Sequence, residues 1–379
     1  MALTGRRDGR PMVAPGDPAS TVRRALDSVA FACERRTGRF PRLPGVGLLS
    51  ERAAAAGFTR RGPWSCGGAF RTMPTRDGWF GLSLARPADH ELLPALTGSN
   101  GGHDPWEVVA RWCAGMRADE AAERASLLGM AVCAVPEPAN TAPRRGVVLT
   151  DGASREVAER PRVLDLTSLW AGPLCAHLLG LGGAVVTKVE SARRPDGARL
   201  GSRSFFELLQ RGHDSVVIDF EASAGRQRLR DLIEQSDVVL EASRPRAMRQ
   251  LGILAEDYVS AGISWVSITA RGRAHNRVGF GDDVAFGAGL HVVDGNEVLP
   301  CGDALADPLA GVVAAASAAE ALLLPVARLI DVSMHDVARE AALRPTQPHR
   351  TERRGDQWWV ETATGCHPVA LPRVRRSPW

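Results

Sequence analysis

Val163-Leu164-Asp165-Leu166-Thr167-Ser168-Leu169-Trp170-Ala171-Gly172-Pro173 is the stretch that decides the fold. Val163–Leu166 reads as a strand, the polar residues after it as a turn, and Pro173–Leu181 as a helix with proline in its first turn. The same alternation continues outward. Strands are expected at Ala184–Val189, Ser215–Asp219, Val238–Leu240 and Trp265–Thr269, with one more at Val326–Val332. Helices fall between them at Ser204–Gln210, Ala224–Gln235 and Arg246–Leu251, and the alanine-rich Leu309–Leu324 reads as a buried helix. Strands and helices alternating at this spacing predict βαβ units and a parallel sheet.

Gly180-Leu181-Gly182-Gly183 resembles a dinucleotide-binding loop only at first sight. A Rossmann loop follows a strand and opens a helix. These glycines close a helix and precede a strand, so they are read as a helix end and a tight turn, and NAD binding is rejected.

Upstream, residues 66–135 read as a second, smaller α+β unit. Asp77-Gly78 makes a turn before the strand Trp79–Leu84, and Met130–Val135 is a second strand. Between them lie helices at Asp89–Leu96, Trp106–Gly115 and Ala118–Leu128, the second capped by Asp104-Pro105. Residues 1–20 read as turns, and 19–34 and 49–57 as helices. The proline- and charge-rich residues 136–161 read as a linker. Residues 346–379 read as a basic, irregular tail with one strand at Trp358–Glu361.

The 379 residues carry a net charge of +4, with the basic side chains dispersed among acids. No nucleic-acid-binding arm is expected, though the balance suits an anionic ligand. The cysteines number seven, with no CxxC pair, which argues against a disulfide framework or zinc site and for reduced thiols. Neither a signal peptide nor a membrane span is expected, so the protein is expected to be cytoplasmic. No metal is expected.

Two acidic positions carry chemical interest. Asp282-Asp283 follows Gly279-Phe280-Gly281; paired carboxylates raise one pKa, but the spacing favours a helix cap. Asp307-Pro308 opens the Leu309–Leu324 helix. Asp is expected as its N-cap, and that place at the positive helix end would hold a carboxylate ionised and fit to act as a nucleophile. There is also an echo. Leu3-Thr4-Gly5-Arg6-Arg7-Asp8-Gly9 followed by Asp17-Pro18 resembles Leu290 to Asp294-Gly295 followed by Asp307-Pro308. It is either a decayed duplicate or chance likeness in a Gly/Pro-rich segment.

The opening stretch closely resembles the start of the class III CoA-transferase (CaiB/BaiF) family, a VLDLT strand followed by AGP. Further matches follow in order: Leu181–Glu190, Arg211–Val216, Ser236–Glu241 with Arg244-Pro245, Trp265–Thr269, Gly302–Gly311 and Ile330–Met334. The resemblance covers about residues 160–340, and Asp77-Gly78-Trp79 and Leu128–Val135 resemble the family's small domain. In the family the small domain follows the large one; here it precedes it. The implied fold is a Rossmann-like parallel-sheet large domain plus a small α+β domain, in permuted or truncated-tandem order. The expected divisions are an N-terminal remnant at 1–58, the small domain at 59–138, a linker at 139–160, the large domain at 161–345 and the tail at 346–379.

The resemblance implies transfer of CoA from an acyl-CoA to an acceptor carboxylic acid through an aspartyl-CoA intermediate. CoA serves as substrate and carrier, with no tightly bound cofactor. By motif position the nucleophile is Asp307, four residues before Gly311. Racemase members use a histidine and an aspartate; that aspartate corresponds to Asp282, with Gly281 in place of the histidine, which makes a CoA-ester isomerase the second reading. A non-catalytic acyl-CoA-binding relative is the third. Candidates for CoA contacts are Arg193, Arg194, Arg244 and Arg249, in loops after strands. Trp170 stands where some transferases carry glutamine, and Gly67 and Gly68 where some carry a mobile glycine loop. Ala242 and His213-Asp214 also depart from the family pattern. The family's interlocked homodimers imply a homodimer here.

Overall fold

The computed structural model describes residues 2–99, 104–137 and 145–374. The N-terminal helix α1 (Pro18–Thr37) starts at Asp17, whose carboxylate accepts from the Ser20 N–H at 3.0 Å, and stops at Gly38 in a left-handed conformation. A 3₁₀ turn leads into the short α2 (Glu51–Ala56).

The small domain follows. Its sheet contains β1 (Phe70–Pro74), β2 (Trp79–Ser83) and β3 (Ala131–Val135), antiparallel in that order. Between β2 and β3 run α3 (Pro87–Glu91), α4 (Leu93–Thr97), α5 (Pro105–Ala114) and α6 (Ala118–Leu127). Met73, Phe80 and Leu82 turn to these helices and meet Val109, Ala121 and Ala125 in one buried cluster. Strand alternation gives the sheet a second face, where Phe70 and Cys133 meet the large domain.

The large domain is a seven-stranded sheet. Its strands are β4 (Val147–Ser154), β5 (Arg162–Asp165), β6 (Val185–Ser191), β7 (Asp214–Ile218), β8 (Val238–Glu241) and β9 (Ser264–Thr269), completed by a later strand, Val326–Ser333. The interleaved helices are α7 (Ala171–Leu181), α8 (Arg203–Gln210), α9 (Ser223–Glu234), α10 (Pro245–Gln250) and α11 (Ala255–Ser260). Then come α12 (Gly281–Gly287), the hairpin β10 (His291–Asp294) and β11 (Glu297–Pro300), α13 (Ala306–Ala321), β12 (Val326–Ser333) and α14 (Met334–Ala342). Spatial order is β4-β12-β9-β8-β5-β6-β7, all parallel except β4. The strand order reverses between β5 and β8, the kind of position at whose carboxyl ends open α/β sheets bind ligands. Central strands buried on both faces explain the apolar runs of β8 and β9. The alanine-rich α13 is buried on nearly every side, packed by α1, α7, α14 and β12.

Three expectations change. Residues 147–154, expected within a linker, form β4, which caps the sheet edge by antiparallel pairing with β12; its exposed side chains hid it from the hydrophobic pattern. The linker's residues 139–144 lie outside the described residues. The tail is not irregular: β13 (His349–Arg354), β14 (Gln357–Thr362) and β15 (Gly365–Pro368) make a separate antiparallel sheet. Asp307 is not an N-cap. Helix α13 begins at Ala306 with Leu305 as its cap residue, so Asp307 sits inside the first turn, its N–H on the Ala304 carbonyl at 2.9 Å. Gly182 and Gly183 do end α7, as expected, Gly183 with φ of +90°.

Candidate active site

The first turns of α12 and α13 meet, and three carboxylates gather there: Asp282, Asp303 and Asp307. The close approach depends on Gly281. A Cβ at that position would lie 2.5 Å from Asp307 Oδ2 and 2.4 Å from the Ala304 carbonyl oxygen. Without it, the Gly281 N–H donates to the Asp307 carboxylate. The Ala304 N–H donates to Asp282 Oδ1 at 2.9 Å, and Ala304 is held at φ of +44°, a conformation that costs a non-glycine residue free energy. Two helix starts and one strained turn thus fix all three acids.

One cation faces them. Arg52, from α2, donates through Nε to both Asp303 oxygens at 3.1 Å, with Nη2 also on Oδ1. Asp303 is fully buried, so this pair is what makes its charge tolerable there. Burial disfavours the Arg52 charge, but Asp303, Asp282 and Asp307 raise its pKa overall. Cys66 Sγ donates to Asp303 Oδ1 at 3.4 Å, and Ser65 hydrogen-bonds Asp282. Burial pushes Asp307 up to about 7; Arg52 works against that, and Asp282 and Asp303 add to it. Asp282 is raised by burial too. The helix-end argument for a permanently ionised Asp307 therefore loses to desolvation and to its acidic neighbours. Asp283 faces the small domain instead: it accepts from the Phe280 N–H at 2.9 Å as the expected helix-capping acid and from Ser83 Oγ at 2.9 Å, and burial pushes it up to about 7.

Trp170 lies across the Arg52 guanidinium, 5.1 Å from ring centroid to Cζ, and its other neighbour Phe205 meets it edge-on at 5.2 Å. The loop that carries it is locked from beneath. Buried Lys188 donates to the Thr167 carbonyl and to Asp196 at 3.0 Å; Asp196 accepts from the Leu169 N–H at 2.9 Å, and Asp165 from Thr167 at 2.9 Å. Leu169 is held at φ of +70°. Gly311 brings α13 against this loop's helix, since a Cβ there would lie 2.6 Å from the Ala171 carbonyl oxygen.

Of the residues singled out in the sequence, Asp282, Asp307 and Trp170 come together, and Gly67 with Gly68 follows Cys66 at the edge of the cluster. A Cβ on Gly67 would lie 3.7 Å from an Arg52 nitrogen. The arginine candidates lie elsewhere. Exposed Arg193 pairs with Asp219 and Glu221, and Arg194 is exposed beside it. Arg244 caps α10 beyond β8, at the reversal of strand order; Arg249 lines a small polar hollow with Glu241, Trp265 and Arg273. Sequence reading missed Arg52 and Asp303. Asp303 stands inside the Gly302–Gly311 motif and was legible there; Arg52, 251 residues away, had no local signal.

Comparison with known proteins agrees with this architecture. Residues 159–352 match CoA-transferase family III, and the chain belongs to that family. It is 32% identical over 218 residues to a probable fatty acyl-CoA transferase of Mycobacterium tuberculosis, covering 52% of this chain and 55% of that one. It is 29% identical to the succinyl-CoA–D-citramalate CoA-transferase of Chloroflexus aurantiacus, covering 42% and 44%. A human alpha-methylacyl-CoA racemase is 38% identical over 89 residues, covering 24% and 21%. The chain spans about half or less of the length of these relatives. Among the described residues no helix is long and apolar enough to cross a membrane.

Proposed function

We propose that this chain moves coenzyme A from an acyl-CoA thioester to an acceptor carboxylic acid, with Asp307 as nucleophile. The observation that carries the reading is the placement of Asp307: a half-buried carboxylate with a pKa near 7, held by the Gly281 N–H beside Arg52 and Trp170. Ionised Asp307 attacks the thioester carbonyl, the acyl–sulfur bond breaks, and a mixed anhydride forms with release of CoA thiolate. The thiolate attacks the aspartyl carbonyl and expels the acyl group as its carboxylate, leaving aspartyl-CoA. The acceptor carboxylate then repeats the two steps in reverse and regenerates Asp307. Splitting one exchange into anhydride and thioester steps lowers each barrier.

The reversal of strand order between β5 and β8 supports CoA binding there, because open α/β sheets bind ligands at such points. Trp170 would bound the acyl end and Arg244 the phosphates, with Arg249, Arg193 and Arg194 further out. CoA would be substrate and carrier.

The second reading is proton exchange at the carbon α to the thioester, with Asp282 as base. Its raised pKa and the similarity to a racemase favour it. The test is a panel of acyl-CoAs and carboxylates in D₂O, with wild type, Asp307→Asn and Asp282→Asn. Transfer abolished by Asp307→Asn, with no deuterium incorporation at the α-carbon, supports the transferase. Deuterium incorporation without transfer, lost in Asp282→Asn, replaces it with the isomerase. CoA binding with neither activity leaves a binding protein.

A further inference from the structure

The C-terminal sheet repeats the hairpin that joins the small domain to the large one. Arg71-Thr72, Asp77, Trp79-Phe80 and Ser83 recur at identical spacing as Arg350-Thr351, Asp356, Trp358-Trp359 and Thr362. The backbone pairing repeats as well. Phe70 opposite Ser83, Thr72 opposite Gly81 and Pro74 opposite Trp79 correspond to His349 opposite Thr362, Thr351 opposite Val360 and Arg353 opposite Trp358. In both sheets the tryptophan-bearing strand is central, with a third strand antiparallel to it. The register coincides over two whole strands, and arginine, threonine, aspartate and tryptophan are retained at Arg350, Thr351, Asp356 and Trp358 within it.

In the first hairpin each face has a partner. One face buries Met73, Phe80 and Leu82 under the small-domain helices. The other docks on α12 and β11: the Phe70 ring meets Phe286 at a tilt of 55° with centroids 5.5 Å apart, Thr72 Oγ1 donates to the Val298 carbonyl at 2.9 Å, and Ser83 Oγ donates to Asp283 at 2.9 Å. In the second hairpin the helix-side positions have become polar: Glu352 replaces Met73, Glu361 replaces Leu82, and Arg354 covers Trp359 at 5.2 Å. The docking side has kept part of its chemistry, although His349 replaces Phe70 and Arg353 replaces Pro74. Thr351 stands for Thr72, Thr362 for Ser83, and Trp358 with Val360 supplies apolar area. Yet none of residues 349–368 belongs to a buried cluster.

We propose that the Trp358–Val360 face of β13–β15 is a protein interaction surface. Its partner is a separate polypeptide presenting a helix with a carboxylate in its first turn followed by an antiparallel hairpin, the arrangement of residues 281–300. Within these 379 residues that arrangement occurs once among the described residues, and β1–β2 already covers it. A second copy of the chain offers the same occupied face, so it is not the expected partner. Thr362 would donate to the partner's carboxylate, Thr351 to a hairpin carbonyl, and Trp358 would pack on the helix.

The test places a photo-crosslinking phenylalanine derivative at position 358, 360 or 359 of the full chain, with irradiation in the native host and mapping of the linked peptides. The expected result is a mass-shifted species from 358 and from 360, absent from 359, which faces the opposite way. Its linked peptide belongs to another polypeptide and lies in a helix–hairpin segment with an acid in the helix's first turn. Linkage to residues 281–300 of a second copy, linkage to the chain's own body, or no shifted species at either 358 or 360 would overturn the proposal.

Discussion

Asp307 carries a conflict between its charge and its surroundings. Its pKa is pushed up from 3.8 to about 7 by burial and neighbouring acids, so the folded protein holds its proton more tightly than the unfolded chain does. Its contribution to stability is present at low pH and lost as pH rises between about 4 and 7. Asp307→Asn cannot ionise. It should match wild type in thermal melting near pH 3, below the unfolded value, and exceed it at pH 8, by up to about 4 kcal/mol at ~1.4 kcal/mol per pKa unit, while transfer is abolished. Equal stability at pH 8 would refute the buried-acid account. Transfer by the wild type should rise with pH and level off above the same range. Arg52→Met presents the opposite case: it leaves Asp303 buried without a counter-charge. A loss of about 3–5 kcal/mol is expected in urea unfolding, with recovery on adding Asp303→Asn.

At the scale of elements, two glycines set where Asp307 stands. Gly311→Ala would place a Cβ 2.6 Å from the Ala171 carbonyl oxygen and force α13 away from α7. It should cost about 1–3 kcal/mol and lower kcat, because Asp307 lies one turn earlier on the same helix. Gly115→Ala, which meets nothing within 4 Å, should be nearly neutral in the same assay. The elements around α13 were the legible ones. The strands and helices between residues 162 and 333 alternate in the sequence much as they do in space, and helix α5 of the small domain announces itself by its Asp104 cap. What escaped reading was set by tertiary context. Strand β4 contains Asp151 and Gly152 and stays exposed, so only pairing with β12 makes it a strand. Helix α12 has Gly281 and Gly287 in seven residues, poor helix formers kept for close approach. Asp307 was found through its motif, but its true environment was not, since Arg52 and Asp303 meet only in the folded chain.

At the scale of the molecule, two of the contacts that fasten the small domain stand out. One is the β1–β2 face on α12 and β11. The other is Glu137, whose carboxylate accepts from Arg271 and Arg339 at 2.6 Å and faces His335 Nε2 at 3.0 Å. Burial raises the Glu137 pKa less than His335 and Arg271 lower it, leaving it at about 2. Burial opposes the His335 charge, but Asp336 and Glu137 raise its pKa. The Glu137 contribution is present above pH 4.5 and lost as pH falls towards 2. The His335 contribution is full below pH 6.5 and lost as pH rises beyond it through the raised folded value. Glu137→Gln should destabilise by about 3 kcal/mol between those limits, read as a lower denaturant midpoint, and an unchanged midpoint would remove the latch. Arg52, Ser65 and Cys66 come from the N-terminal part of the chain and the three acids from the large domain, so one chain assembles the whole cluster. Whether that cluster does covalent chemistry is the central question. Mass spectrometry of the protein incubated with a panel of acyl-CoAs, with and without hydroxylamine, answers it most directly. The account predicts a CoA adduct, converted to a hydroxamate, on the peptide containing Asp307 and absent from Asp307→Ala. CoA binding with no adduct on that peptide from any thioester would contradict it.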